Sequence, residues 1–457
     1  MLFQPSLIHS PRGSRSSNRH APWKLAHWDV GDPVFLWPGR PCRAKRNRGP
    51  RRCAELASAC SLKYPVKFES PLTARAAVRA LTASKIRELV NEGLGNPDVL
   101  PFWVGEPDAP TPGFIRQAGI DSIAAGELLY THNLGIPELR EELAAYLTRL
   151  HRPTDPGQLA VTSAGVNALM LASQLLVDPG ERVVEVVPLW PNLQEIPKIL
   201  GARVVTVSLE FSGSDWKLDL NRLIDALVPG TRALYLNSPN NPTGWTIARD
   251  EQSAILEHCR RHGIWIFADD AYERLYFGEG GVAPSFLNLM EDEDRVISAN
   301  TFSKSWRMTG WRLGWLAVPA GLVADLGKLI EYNTSCAPVF VQRAGIAALK
   351  QGEAVIQESL QRYRRARDFL VGELRTIPRV EAALPAGTMY AFLRIEGVSD
   401  SLAFCKRLVR EHGLGLAPGA AFGPEGEGYV RWCFAAAEDR LAEGIARLRR
   451  ALGALEH

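Results

Sequence analysis

The chain has 457 residues, 46% of them hydrophobic and 23% charged, which is the balance of an ordinary globular protein with ample core. Its formal net charge of +3 is lopsided: residues 1–60 hold 11 Lys/Arg against 3 Asp/Glu, and the remainder holds 42 against 47. The mildly acidic body argues against a nucleic-acid partner, and no apolar run reaches the roughly 18 residues that cross a bilayer.

Residues 1–66 are rich in Arg, Pro, Ser and Gly without apolar periodicity, so a disordered basic N-terminal extension is expected. Three readings stay open for it. It is an arm touching a polyanion, an organelle-type presequence, or a segment upstream of the true start. The last would need a non-AUG codon near Val66 or Leu72, because no Met occurs between Met1 and Met170. The opening MLFQPSLIHSPRG lacks the basic and apolar regions of a secretory signal. Seven cysteines (Cys42, Cys53, Cys60, Cys259, Cys336, Cys405 and Cys433) are scattered, so neither a disulfide framework nor a metal site is expected. A reduced, cytoplasmic compartment fits them.

The folded part begins near Ser70. TARAAVRALTASKIRELVNEG has apolar residues three and four apart and predicts one helix. PFWVGEPDAPTP predicts a short strand broken by a Gly/Pro loop, and residues 114–125 predict a helix. In LYTHNLGIPELREELAAYLTRL a loop with Tyr130 and Gly135 leads to a helix that Pro137 opens. Apolar, β-rich cores then alternate with helical patterns: LAVTSAGVNALMLASQLLV, RVVEVVPLWPN, ARVVTVSLE, TRALYLNSPNNPTG, GIWIFADDAYERL and RVISANTFSK, with helices over 192–200 and 249–262. Near-continuous Val/Ile/Leu strands alternating with helices predict an α/β fold with a mostly parallel sheet buried on both faces. RLGWLAVP (312–319) adds a strand. Beyond it come a charged helical stretch over 341–374, strand character in VEAALPAGTMYAFLRI, a helix in SLAFCKRLVREHG, short strands in LGLAPGAAFG and GYVRWCFA, and a helix to Leu455. The expected division is a large domain over 111–340 and a smaller α+β domain built from 67–110 and 341–457.

Ligands of open parallel sheets bind outside the carboxyl ends of the strands. The residues placed there are Ser163-Ala164-Gly165-Val166 at a helix N-terminus, where free N–H groups favour a phosphate; Trp190; the NSPNNPTG loop with Asn241; Asp269 and Tyr272; and, in NTFSKSWRMTGWRLGW over 300–315, Lys304 in a loop expected to leave the buried strand that ends near Ser298, with Arg312 eight residues on. An enclosed lysine amine can form a Schiff base with a carbonyl cofactor. Each residue alone has a plain structural explanation: a core Trp, a capping Asp, a solvated Lys and Arg. Together they are the groups that a phosphorylated pyridine aldehyde requires.

Over about residues 70–455 the chain resembles the class I/II aminotransferases of the fold-type-I pyridoxal-5′-phosphate family. The resemblance rests on YTHNLGIPELR, VTSAGVNAL, NSPNNPTG, DDAY and TFSKSWRMTGWRLGW, in the family's order and spacing. It implies a seven-stranded large domain that binds pyridoxal 5′-phosphate. It also implies Lys304 as the Schiff-base lysine and proton shuttle, Asp269 as partner of the pyridine nitrogen, and Tyr272 and Asn241 as donors to the phenolic oxygen. Trp190 would stack on the ring. Ala164, Gly165, Val166, Thr301 and Arg312 would hold the phosphate, and Tyr130 would reach the partner subunit's phosphate in a homodimer with composite active sites. Arg431 would grip the substrate α-carboxylate, and the Gly105 loop would close over the substrate. Two departures stand out: many relatives have a hydroxyl or lysine where Val166 stands, and Ser where Thr301 stands. The activity implied is transfer of an amino group from an L-α-amino acid to a 2-oxo acid. A carbon–sulfur β-lyase would use the same constellation. A regulator's sensor domain would need a helix-turn-helix module that residues 1–66 do not carry.

Overall fold

The structure, a computed structural model, describes residues 73–453; the expected extension over 1–66 lies outside them. The segment predicted as one helix over 73–93 is instead two. Helix α1 (Ala76–Arg79) stops after one turn, and α2 (Lys85–Glu92) restarts where the Ser84 side chain accepts the Arg87 amide at 3.2 Å. A capping serine satisfies an otherwise orphaned N–H and so fixes a new start.

β1 (Leu100–Pro101) is followed by α3 (Gly113–Ala124) and by α4 (Pro137–Leu150), which Pro137 opens as expected. Then β2 (Leu159–Thr162) feeds α5 (Gly165–Leu176), and β3 (Arg182–Val187) feeds α6 (Pro191–Ile199). Next come β4 (Arg203–Ser208), a small ladder of β5 (Glu210–Phe211) with β6 (Trp216–Lys217), α7 (Leu220–Ala226), β7 (Thr231–Asn237), α8 (Arg249–His262) and β8 (Trp265–Asp269). β9 (Val296–Thr301), the short α9 (Phe302–Ser305) and β10 (Gly314–Ala317) complete this region.

The large sheet has the order β2-β10-β9-β8-β7-β3-β4. β3, β4, β7, β8 and β9 run parallel, while β10 is antiparallel to both its neighbours. Successive side chains on a strand point to opposite faces, and both faces are covered. Val183, Val187, Tyr235, Phe267 and Ile297 pack toward α5 and α6. Val184, Val186, Leu234, Leu236 and Ile266 meet α4 and α8. Glu185 shares the first face with both carboxylate oxygens unpartnered, and burial pushes its carboxyl well above the usual range.

α10 (Val323–Glu331), α11 (Val339–Gln351) and the long α12 (Glu353–Leu374) lead to the second sheet. Its region comprises β11 (Val380–Ala382), β12 (Tyr390–Ile395), α13 (Ser401–His412), β13 (Leu414–Gly415), β14 (Ala417–Pro418), β15 (Tyr429–Cys433) and α14 (Glu438–Gly453). The sheet is antiparallel in the order β11-β12-β15-β14, and β13 pairs with β1, tying the early segment to this layer. Among the described residues no helix is long and apolar enough to cross a membrane.

Candidate active site

The strands that carry the nominated residues end side by side. Asn237 lies opposite Asp269 in the β7–β8 register, and Asp269 lies opposite Ala299 in β8–β9. Beyond that edge is a cleft of about 360 Å³. Gly165, Val166, Trp190 and Asn241 line it from one side; Asp269, Tyr272, Thr301, Lys304 and Arg312 form its floor; Gly105 and Arg431 come from the second layer. Two nominated residues lie elsewhere. Ala164 is buried behind the wall as the N-cap of α5, and Tyr130 is 90% exposed on the segment after α3.

Lys304 sits on α9, not in the loop that its neighbours suggested. β9 runs on to Thr301, whose hydroxyl oxygen accepts the Ser303 N–H at 3.1 Å and starts the single turn. The Lys304 Nζ donates to the Gly105 carbonyl at 2.8 Å and lies 5.8 Å from the centre of the Tyr272 ring. A Cβ on residue 105 would lie 1.8 Å from the Tyr390 hydroxyl, so only glycine lets the loop come this close. Arg312 also differs from expectation. It precedes its strand, in the left-handed region at φ 53°, and its Nη1 donates to the Thr309 carbonyl at 2.6 Å.

Asp269 is buried, and its Oδ1 accepts the Ala271 N–H at 3.2 Å. Burial pushes its carboxyl up to about 7, against the pull of the Ala271 amide and the Lys304 charge. Tyr272 shares a 2.9 Å hydrogen bond with the Tyr390 hydroxyl, and burial followed by the Tyr390 contact holds its phenol well above the usual range. Asn241 is seated by its own N–H on Asn237 Oδ1 at 2.7 Å, while Asn237 Nδ2 donates to the Asp269 carbonyl at 3.0 Å. At the amino end of α5 no side chain caps the first N–H groups, and a Cβ on residue 314 would lie 2.7 Å from the Gly165 nitrogen.

Arg431 is 2% exposed. Its Nη1 donates to Asn241 Oδ1 at 2.9 Å and its Nη2 to the Trp103 carbonyl, and the guanidinium lies over the Tyr390 and Phe422 rings at 4.3 and 4.9 Å. Among the described residues no carboxylate pairs with it, so its charge is buried without a counter-ion. The geometry therefore joins a primary amine, a buried acid, two linked phenols and an unpaired guanidinium around one space.

Sequence reasoning missed several members of this group. Asn237 lay inside a quoted motif without a role, and Ser303 sat beside Lys304. Tyr390 gave no local signal; it matters because β12 brings it 118 residues back onto Tyr272.

The sequence matches the model of the family described as aminotransferase class I and II across residues 97–448. It is 32% identical to the aspartate aminotransferase of Pyrococcus horikoshii over 379 residues, 82% of this chain and 96% of that protein. It is 33% identical to the arginine–pyruvate transaminase of Pseudomonas aeruginosa over 353 residues, 77% and 89% of the two chains. Among solved structures, the aspartate aminotransferase of Thermotoga maritima superposes with a TM-score of 0.77 at 30% identity, covering 83% of this chain and 100% of that one. With the cleft, the sheet order and these likenesses in agreement, the chain belongs to the class I and II aminotransferases.

Proposed function

We propose that the chain is a pyridoxal-5′-phosphate-dependent aminotransferase that moves the amino group of an L-α-amino acid to a 2-oxo acid in two half-reactions. The observation that carries this reading is Arg431, a buried cation without a carboxylate partner, in one cleft with the Lys304 amine and the Asp269 carboxyl. A charge buried alone is unfavourable. A substrate α-carboxylate, taken bidentately, would supply the counter-ion.

The residues present fit the cofactor. The buried Asp269 carboxyl, pushed up to about 7, would be drawn back to its ionised form by a cation such as a protonated pyridine nitrogen. The uncapped N–H groups of α5, with Thr301 and Arg312, suit a phosphate. Trp190 would lie on the ring face, Tyr272 and Asn241 would hold the ring hydroxyl oxygen, and Lys304 would hold the aldehyde carbon. When bound, the cofactor supplies an electron sink for charge developing at the substrate Cα. The protein does the rest. Arg431 orients the donor so that its Cα–H faces Lys304, whose Nζ removes that proton in the first half-reaction and delivers one to the acceptor's Cα in the second. The Gly105 loop, joined to Lys304 through its carbonyl, would exclude water once substrate is in place.

The test is a screen of ¹⁵N-labelled donors against 2-oxo acids, beginning with aspartate and arginine because relatives are named for them. Label appearing in the acceptor supports the reading. Pyruvate and ammonia released without any acceptor would instead make the protein a carbon–sulfur β-lyase. Arg431→Ala should lower kcat/KM by about 10³-fold, chiefly through KM, as expected for losing a buried charge-assisted contact.

A second copy of the chain completes the site in this reading. Leu128, Leu129 and Tyr130 stand exposed after α3, and Ile120 and Ile123 are exposed on it. Contiguous exposed apolar side chains of this kind mark an interface, from which Tyr130 would reach the other copy's phosphate site. Sedimentation equilibrium should give twice the chain's mass, and a monomer active at nanomolar concentration would rule the composite site out.

A further inference from the structure

Behind the turn that carries Asp269 and Tyr272, away from the cleft, lies a buried polar group that the reaction above does not use. His151 ends α4 with its side chain fully enclosed, and both ring nitrogens face oxygen acceptors. Nε2 lies 3.0 Å from Glu273 Oε2, and Nδ1 lies 3.2 Å from Asn288 Oδ1. The Asn288 amide is oriented at both ends, since its Oδ1 accepts the Ser285 N–H at 3.3 Å and its Nδ2 donates to the His151 carbonyl at 3.4 Å. A neutral imidazole has one N–H only, so a ring between an ionised carboxylate and an amide oxygen is paired at both nitrogens only when it carries both protons. The carboxyl end of α4 also favours a cation there. Burial is the largest single influence and alone would lower the pKa of this imidazole, but the Glu273 hydrogen bond and charge, the Asp270 charge and the Asn288 bond together outweigh it and raise the pKa above the ordinary 6.5.

Glu273 in turn closes the catalytic turn, its N–H donating to the Asp270 carbonyl at 2.9 Å. Asp270 Oδ2 accepts the Ser298 hydroxyl at 2.6 Å and the Ser285 hydroxyl at 3.3 Å. α4, β9 and the 285–288 turn thus all grip the five residues from Asp269 to Glu273. Three acids crowd there, and burial followed by the Glu273 charge pushes the Asp270 carboxyl up to about 7. The cations facing them are His151, Lys304 across Asp269, and Arg274, which Glu353 and the Tyr146 hydroxyl already engage. Arg152, next in the chain, pairs with Asp292.

We propose that His151 is a positioning residue of the catalytic turn: its imidazolium, paired with Glu273 and braced by Asn288, fixes the turn and balances the acids behind Asp269, so that Asp269 keeps its negative charge toward the cleft. This rests on the reading that Asp269 faces the cofactor's ring nitrogen. Removing the imidazolium leaves the Glu273 charge uncompensated, which raises the proton affinity of Asp270 and Asp269 and weakens the hold on that nitrogen at acid pH.

Two measurements on the full-length protein test it. In the first, ring-¹⁵N-labelled histidine is followed by NMR from pH 5 to 9, with the His151 signal assigned by its loss in His151→Gln or, if that variant does not fold, by its displacement in Glu273→Gln. The signal should stay in the doubly protonated position through pH 7; titration at or below 6.5 overturns the proposal. In the second, holoenzyme is dialysed across pH and retained cofactor is measured. His151→Gln should move the acid-side midpoint of release up by about one unit, whereas a merely structural role would lower the melting temperature and leave that midpoint in place. An unmoved midpoint overturns the proposal. Should the wild-type protein retain no cofactor at any pH, the functional reading fails and the NMR titration still decides the state of His151.

Discussion

Lys304→Ala is expected to lower kcat by about 10⁴-fold, the upper end of what a positioned proton-transfer group contributes. The structure gives the reason for so large a loss. Among the described residues Nζ is the only side-chain amine lining the cleft, and it is held at 2.8 Å from the Gly105 carbonyl with the Tyr272 ring beside it. The other basic side chains among the described residues that line it, Arg87, Arg312 and Arg431, are guanidinium groups and not amines, and those of Arg431 and Arg312 are already engaged, by Asn241 and Trp103 and by Thr309. Borohydride reduction followed by peptide mass analysis gives a second readout. The cofactor's mass should be found on the Lys304 peptide of the wild type and on no peptide of the variant. Wild-type turnover by Lys304→Ala would remove the basis of the proposed function.

Asp269→Asn should cost about 10²–10³-fold in kcat, the scale for deleting one preorganised electrostatic contact. The same substitution has a signature in the cofactor-free protein. Burial raises the folded carboxyl from 3.8 to about 7. A group raised in this way contributes stability that is present in full below about pH 3.8 and is lost as pH climbs through about 7. Roughly three units correspond to about 4 kcal/mol. Asparagine does not ionise, so the variant should match the wild type in urea melts at pH 4 and exceed it by a few kcal/mol at pH 8. Equal pH slopes for the two proteins would mean that burial does not govern this acid.

The sequence was most legible where local pattern and chemistry coincide. Near-continuous apolar runs marked β3, β7, β8 and β9, and the Ser-Ala-Gly-Val step after β2 marked the helix start that faces the cleft. Pro137 showed where α4 begins. The errors have physical causes. A four-residue helix makes barely one turn, too short for a helical period to repeat, so the sequence pattern puts Lys304 in a loop. Ser84 hid its capping role inside an Ala-rich, helix-like stretch, so α1 and α2 were merged. Arg312 continued an apolar run and was read as strand, although its left-handed backbone turns the chain first. Tyr390 and His151 could not be found from local pattern at all. Their importance comes from partners more than a hundred residues away.

The amino end of α5 has one more consequence, and it concerns which mutations the protein can absorb. Donors made of main chain survive nearly every substitution, since only proline deletes an N–H. The side chain at 166 can therefore change without removing a donor, while a Cβ at 165 would meet the Thr301 Cβ at 3.0 Å and ask Thr301 to give slightly. The fragile point is on another strand. β10 lies antiparallel to β2 with Gly314 opposite Thr162, and any side chain at 314 would press on the Gly165 nitrogen and on the Ala164 carbonyl carbon, 2.7 and 2.8 Å from its Cβ. The residue that keeps this helix start clear is thus not part of it, and lies some 150 residues further along the chain.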